Sequence, residues 1–267
     1  MSDKNAGFEP DALPAAEATA LSALSTLEPL GALTIDMQEA IRRGNAELIY
    51  ADERAVFLRH SCGVFMLWCA DVPSGERALD EQKKRLADGA DEYLGMFLCV
   101  AHGEAVKQAV LGKTKLTVET PCIQFCRFSK EKLPMKNIGS IRQLTLSDLD
   151  EVNAHYDMGE GHNERAISAG LVYGLELDGK LAGFIGMHPE GSVGMLEVFP
   201  EYRRMGLGTE LESFMHNLHI ERGWIPYGHV YTDNAASLEM QAKFGLTRSN
   251  DLIWWTFPPD DESEADK

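Results

Sequence analysis

Positive charge is scarce in this 267-residue chain: 25 Lys and Arg stand against 42 Asp and Glu, a formal net charge of −17. Polyanions are held by exchanging their counterions for Lys and Arg, so nucleic acid and anionic lipid are excluded as general partners. Long apolar runs are also missing. The longest spans residues 64–70, far short of the roughly 20 residues that a membrane-spanning helix needs. The start of the chain has no basic segment followed by an apolar one; Asp3, Glu9 and Asp11 occupy it instead, so no secretory leader is expected and a cytoplasmic protein is. Paired cysteines are absent too. Cys62, Cys69, Cys99, Cys122 and Cys126 are odd in number and contain no C-x-x-C pair, so they are expected to be small buried hydrophobes, with neither disulfides nor a metal site.

What remains is ordinary globular material, 44% hydrophobic and 25% charged, enough chain for one large or two small cores. The acid excess is uneven: residues 1–136 hold 16 basic and 20 acidic side chains, residues 137–267 hold 9 and 22. The second part therefore favours cationic partners. The change coincides with residues 129–136, where Pro134 and three lysines mark a linker. The expected organisation is a loose lead-in over 1–30, an α/β domain over 31–133, a second α/β domain over 138–257 and a disordered acidic tail over 258–267. A monomer or homodimer is expected.

In the first domain, residues 47–50, 55–59 and 64–70 read as a three-strand meander. A helix is expected around 76–86, a strand at 96–101, a helix at 104–111 and a strand pair ending near 128. The second domain alternates more regularly. A short strand at 141–144 leads to a helix that Thr145 or Ser147 can cap, then a polar loop and a second short helix. Residues 171–177 and 180–187 form a hairpin about Asp178-Gly179, the dipeptide suited to a tight I′ turn. A strand at 193–199 feeds a helix from about 207 to 222, with Leu207, Leu211, Phe214, Met215 and Leu218 on one face. A strand at 227–231, a helix at 235–244 and a strand at 252–257 complete a mixed α/β (α+β) layout.

The chemistry concentrates in Leu196-Glu197-Val198-Phe199-Pro200-Glu201-Tyr202-Arg203-Arg204-Met205-Gly206-Leu207-Gly208. Its R-x-x-G-x-G turn between strand and helix is an anion cradle: glycines admit close backbone approach, the first helical N–H groups are unpaired, and the helix dipole and two arginines add positive charge. Leu211 replaces the third glycine of a Rossmann turn, and the Gly-Lys-Ser/Thr of a P-loop is absent. Dinucleotides and nucleoside triphosphates are therefore poor fits.

This stretch resembles the acyl-CoA pyrophosphate site of GCN5-related N-acetyltransferases (GNAT). Downstream, Asn234-Ala235-Ala236-Ser237-Leu238 leading to Lys243-Phe244-Gly245-Leu246 resembles the family's second motif, and the likeness covers about residues 138–257. Tyr227-Gly228-His229-Val230-Tyr231 with Trp254-Trp255 is most like the glycine N-acyltransferase-like branch, whose members carry a degenerate acyltransferase-like domain upstream. The resemblance implies a GNAT fold in the second half and acetyl-CoA as acyl donor. It implies a primary amine of a small molecule or amino acid as acceptor, with direct attack in a ternary complex. The alternatives are a catalytically weak acyl-CoA-binding or regulatory module and a protein-lysine acetyltransferase.

Carried onto this sequence, the cofactor would contact Val198, Phe199, Arg203, Arg204, Met205, Gly206, Leu207, Gly208, Thr209, Asn234 and Ser237. The two strands at 193–199 and 227–231 would splay to admit the pantetheine arm beside Val198.

Two family positions are altered. The tyrosine that protonates the leaving thiolate is Gln241, which leaves Ser237 and Tyr231 as candidates. The usual glutamate base is Ser192, which leaves Glu197 first and His188 second, with Glu190 also near along the chain. Glu197 faces opposite Val198 on its strand, so its orientation decides whether it meets substrate. The loop bearing His155, Asp157, Glu160, His162 and Glu164 lies where the family's acceptor enters. His216 and His219, three apart on the long helix, are expected to be solvated. Of Trp254 and Trp255, one should be core and the other an outer or acceptor wall.

Overall fold

A computed structural model describes residues 15–86, 92–118, 121–156, 159 and 161–259. The start of the expected lead-in, the end of the acidic tail and loop residues Asp157, Met158 and Glu160 lie outside them. The N-terminal half runs α1 (Ala15–Leu27), α2 (Ile35–Arg42), β1 (Ala46–Ala51), β2 (Ala55–His60), β3 (Phe65–Cys69), α3 (Val72–Arg85), β4 (Cys99–His102), α4 (Glu104–Lys113), β5 (Thr117–Val118) and β6 (Cys122–Cys126). The C-terminal half runs β7 (Ser140–Gln143), α5 (Leu149–His155), α6 (His162–Ser168), β8 (Val172–Leu177), β9 (Lys180–Met187), β10 (Val193–Val198), α7 (Leu207–Glu221), β11 (Tyr227–Tyr231), α8 (Ala235–Lys243), β12 (Thr247–Arg248) and β13 (Ile253–Phe257). Among the described residues no helix is long and apolar enough to cross a membrane.

The first-half strands are apolar on both faces because helices cover both, which explains their near-continuous hydrophobic runs. Phe57, Leu67 and Ala101 pack on Ala78, Leu79, Val106 and Val110 of α3 and α4. The alternate residues Val56, Leu58, Met66 and Val100 pack on Leu27, Met37 and Ala40 of α1 and α2.

Strand order exchanges segments between the halves. One sheet runs β1-β2-β3-β4-β13-β6-β11, with β5 and β12 added at its side, and the other runs β10-β9-β8-β7. The last strand, β13, pairs with β4 from Ile253↔His102 to Thr256↔Cys99. In return β6 pairs along the whole of β11. Burying Ile253 and Trp254 in the first-half cores, at about 1.5–3 kcal/mol per large apolar side chain, binds the halves together.

Residues 129–136 contain no helix or strand, yet they are fastened to α7. Asn217 accepts from the Leu133 N–H at 2.7 Å and donates to its carbonyl at 2.9 Å. Glu210 accepts from the N–H groups of Lys136 and Asn137 at 2.9 and 2.6 Å. Glu210 falls in the first turn of α7, where a carboxylate would compete with an anion; those two amides hold it away.

Candidate acyl-CoA and acceptor site

The second sheet carries α7 on one face and α5 with α6 on the other. Leu207, Leu211 and Met215 pack on Leu175, Ala182 and Ile185, while Phe184, Met195 and Phe199 pack on Val152, Ala166 and Ile167. Pairing of β10 with β9 jumps from Gly194↔Gly186 to Glu197↔Phe184, so a bulge of Met195 and Leu196 breaks the ladder. Met195 takes φ +51° there, a conformation that non-glycine residues adopt rarely and mostly at functional sites.

Beyond the bulge, β10 and β11 belong to different sheets and share no ladder. Their starts touch: a Cβ on Gly228 would lie 2.9 Å from the Val193 carbonyl, so only glycine lets them approach. The strands therefore touch at their starts and are unpaired beyond.

Beyond the end of β10, α7 begins. Gly206 occupies its N-cap at φ +88°, with no side-chain cap, and a left-handed residue there favours glycine. The first-turn N–H groups of Leu207, Gly208 and Thr209 precede any helical acceptor and point outward with the positive end of the dipole. Arg204 and Met205 are exposed beside them. A cavity of about 170 Å³ lined by Thr209, Ala236, Met240, Lys243 and Phe244 lies alongside, between α7 and α8. These residues fit a phosphate-bearing ligand.

Other expected ligand residues have different neighbours. Arg203 turns back along the strand, donating from Nε to the Val198 carbonyl at 3.0 Å and from its terminal nitrogen to Glu197 at 2.9 Å. Phe199 is core: its ring is buried and stacks on His155 at 3.9 Å. Asn234 caps α8 by accepting from the Ser237 N–H at 3.1 Å. Gln241 is buried and donates to Glu212 of α7 at 3.1 Å.

The catalytic candidates divide between three places. Glu197 shares the α5–α6 face with Phe199, opposite Val198. There it acts on Tyr156 together with Tyr231, and burial first, then those two neighbours, push the Tyr156 hydroxyl up to about 12. The Met195 backbone at the bulge opposes that rise. His188 is at the other end of β10, its ring over Gly194 and 5.8 Å from that of His162. Ser237 is in the first turn of α8.

Tyr156 was absent from the sequence reading. Its position is set by α5, whose entry is fixed by a capping box of Thr145 and Asp148. Asn163 then donates to the Tyr156 carbonyl at 2.6 Å and to Asn153 at 2.9 Å, fixing the elbow between α5 and α6. The only local signal was a tyrosine beside the acceptor loop.

Two expectations need correction. His216 and His219 are buried rather than solvated. His219 bonds the Met215 carbonyl at 2.9 Å, and burial lowers its pKa to about 4; His216 lies against Glu212 and stacks on Phe244. Cys62 is exposed, its sulfur 2.9 Å from Nδ1 of His60, while the other four cysteines are buried. Of the tryptophans, Trp254 is core and Trp255 is half-buried, edge-on to His229 at 5.5 Å. Among the described residues no three metal-ligating side chains gather.

Residues 138–246 match the Acetyltransferase (GNAT) family. The match covers less than half of the chain, and this segment is similar to a GNAT domain. Solved structures resemble the whole chain in fold. A Drosophila protein aligns at 16% identity and a TM-score of 0.58, over 92% of this chain and 97% of its own. A Novosphingobium aromaticivorans protein assigned to the GNAT family aligns at 19% and 0.50, over 86% and 97%. A GCN5-related N-acetyltransferase from Kribbella flavida aligns at 11% and 0.51, over 86% and 95%. At such identities the likeness is one of fold, and it extends across both halves around the matched segment. No curated protein matches the chain in sequence.

Proposed function

We propose that the protein transfers an acyl group, acetyl first among them, from acyl-CoA to a primary amine by direct attack. The observation that carries this reading is the uncapped start of α7 beside an unpaired seam between β10 and β11. The N–H groups of Leu207, Gly208 and Thr209, with Arg204, hold the pyrophosphate. The backbone of Val198 lines the pantetheine path once Arg203 swings off its carbonyl. A main-chain N–H at the bulge meets the thioester carbonyl, stabilising charge that develops on oxygen. Tyr231 and Tyr156 on the acceptor side, and Ser237 on the cofactor side, are the hydroxyls available to the leaving thiolate. Glu197 and His188 remain base candidates.

The acceptor is a cation that loses a proton to react, which the acid excess of residues 137–267 favours. Small amines and amino acids are the first choice, consistent with the glycine N-acyltransferase-like strand. Lysines of a basic peptide are the second, favoured by the same charge. Gln241, engaged with Glu212, supplies no titratable acid, which favours the remaining alternative, binding without turnover.

Saturating acetyl-CoA should raise Tm, since ligand at 100 times Kd adds about 2.7 kcal/mol. Arg203→Glu and Gly206→Glu should abolish the shift. Thiol release should then follow on a panel of glycine, spermidine and a lysine peptide. The absence of any shift contradicts the reading, and a shift without thiol release supports the binding module instead.

A further inference from the structure

The face of β11 opposite α8 opens progressively. Tyr227 is 1% exposed, the His229 side chain 6% and Tyr231 40%. His229 is therefore buried on the same face of β11 as Tyr231, which is exposed at the end of the strand. Its ring is held from behind by the other half of the chain. Nε2 makes a short contact with Oε1 of Gln124 on β6. The orientation of that amide is fixed, because its nitrogen donates to the Ala32 carbonyl at 2.7 Å and to Asp36 of α2 at 3.2 Å. Only the amide oxygen remains for His229, so Nε2 carries the ring proton.

Asp36, fully buried, is fixed in turn by Nε2 of His102 on β4 at 2.8 and 2.9 Å, while Nδ1 of His102 faces the Leu67 carbonyl at 3.0 Å. The other oxygen of Asp36 stands 3.7 Å behind Nε2 of His229. With Nε2 protonated, the lone pair of the neutral ring is on Nδ1. That atom is buried and has no hydrogen-bond partner, an arrangement that protein interiors rarely leave unused.

We propose that Nδ1 of His229 is the proton acceptor for the incoming amine, presented by a buried His102–Asp36–Gln124 chain that the N-terminal half contributes. The inference rests on the acyl-transfer reading above and assigns its base. An ammonium substrate passes one proton to Nδ1, and its lone pair forms the C–N bond at the thioester carbonyl. The adduct collapses with cleavage of C–S. A second nitrogen proton goes to the departing thiolate, giving amide and thiol, and His229 returns the first proton to solvent.

The groups acting on the ring are Asp36 from α2, His102 from β4, and Glu190 and His188 from the turn before β10. Burial lowers the ring's pKa from 6.5, Asp36 and Glu190 oppose it, and the outcome is downward. That direction favours the neutral ring, with Nδ1 bare. Gln124, Asp36 and His102 are positioning residues.

Two measurements test this. Histidine nitrogen NMR of the unliganded protein, with His229 assigned by its loss in His229→Asn, should find Nε2 protonated and Nδ1 bare at pH 7; the opposite tautomer, or a doubly protonated ring, overturns the proposal. His229→Asn should keep the acetyl-CoA thermal shift and lose about 10²- to 10⁴-fold in thiol release. The acidic limb of the wild-type pH–rate profile, below pH 6.5, should vanish with it. Imidazole in the buffer should partly restore His229→Gly. Gln124→Met should lower kcat and leave the KM for acetyl-CoA unchanged. Wild-type turnover with His229→Asn within threefold of it overturns the base assignment alone. Failure of the wild type to bind acetyl-CoA or release thiol overturns the acyl-transfer reading and this inference with it.

Discussion

Each half of the molecule contains a strand, a helix and a second strand in the same order, and the two units end differently. In the first, β3 and β4 pair in parallel from Phe65↔Cys99 to Trp68↔His102, closed along their length. The intervening α3 starts under Asp71, whose carboxylate accepts from the Ser74 N–H at 2.9 Å and the Ser74 hydroxyl at 2.6 Å. In the second, β10 and β11 touch at Val193 and Gly228 and then share no ladder, and α7 starts under Gly206 with no cap. A carboxylate on the first helix occupies the place that an anion would take; on the second the place is open, with Arg204 exposed beside it. The proposed binding site rests on bonds that are withheld, and the first half is the control in which they are made.

The largest effect should come where the halves are joined. Asp36→Ala strips the carboxylate from a fully buried pair with His102 and should destabilise by about 3–5 kcal/mol in urea unfolding, the range for breaking such pairs. A loss under about 1 kcal/mol would show that the closed half does not depend on this contact. The network holds the Asp36 carboxyl below its ordinary 3.8 despite the opposing effect of burial. Its contribution should therefore be complete above pH 3.8 and disappear as pH falls through the lower folded value.

Next in size is Gly228→Val, which places a side chain against the Val193 carbonyl where the starts of the open strands touch. Overpacking of this kind costs about 1–3 kcal/mol. The acetyl-CoA thermal shift should shrink as the seam is displaced, and an unchanged shift would detach the seam from binding.

The smallest structural effect should come from exchanging the caps. Gly206→Asp gives α7 the carboxylate that α3 has; despite backbone strain of about 1 kcal/mol the fold should persist, and the acetyl-CoA shift should vanish. Asp71→Gly should lower Tm slightly and leave that shift intact. The cap and Arg54 hold the Asp71 carboxyl down to about 2, so what it contributes should fade only as pH drops from 3.8 towards 2. Retained binding in Gly206→Asp would mean that the uncapped start of α7 is not the anion site.

Much of the fold was legible because local chemistry specified it. The Asp178-Gly179 hairpin, the Thr145 cap and the apolar face of α7 each depend on residues a few positions apart. The glycine turn that starts α7 at Gly206 was legible for the same reason. The exchange of β6 and β13 was not, since edge pairing between segments more than 100 residues apart leaves no periodic trace. His216 and His219 looked polar by type and are buried because α8 and Trp224 cover them. The His229 network was hidden for a related reason: Asp36, His102 and Gln124 come from three elements of the other half, and no spacing rule connects them. The turn of Arg203 towards Glu197 depends on rotamers, which no sequence pattern encodes.

Hydrogen exchange with and without acetyl-CoA tests the contrast most directly. The account predicts new protection in residues 196–209, at the bulge, the cradle and the start of α7, and none in residues 65–75 of the closed unit. Protection at 65–75, or none at 196–209 under saturating acetyl-CoA, would contradict it.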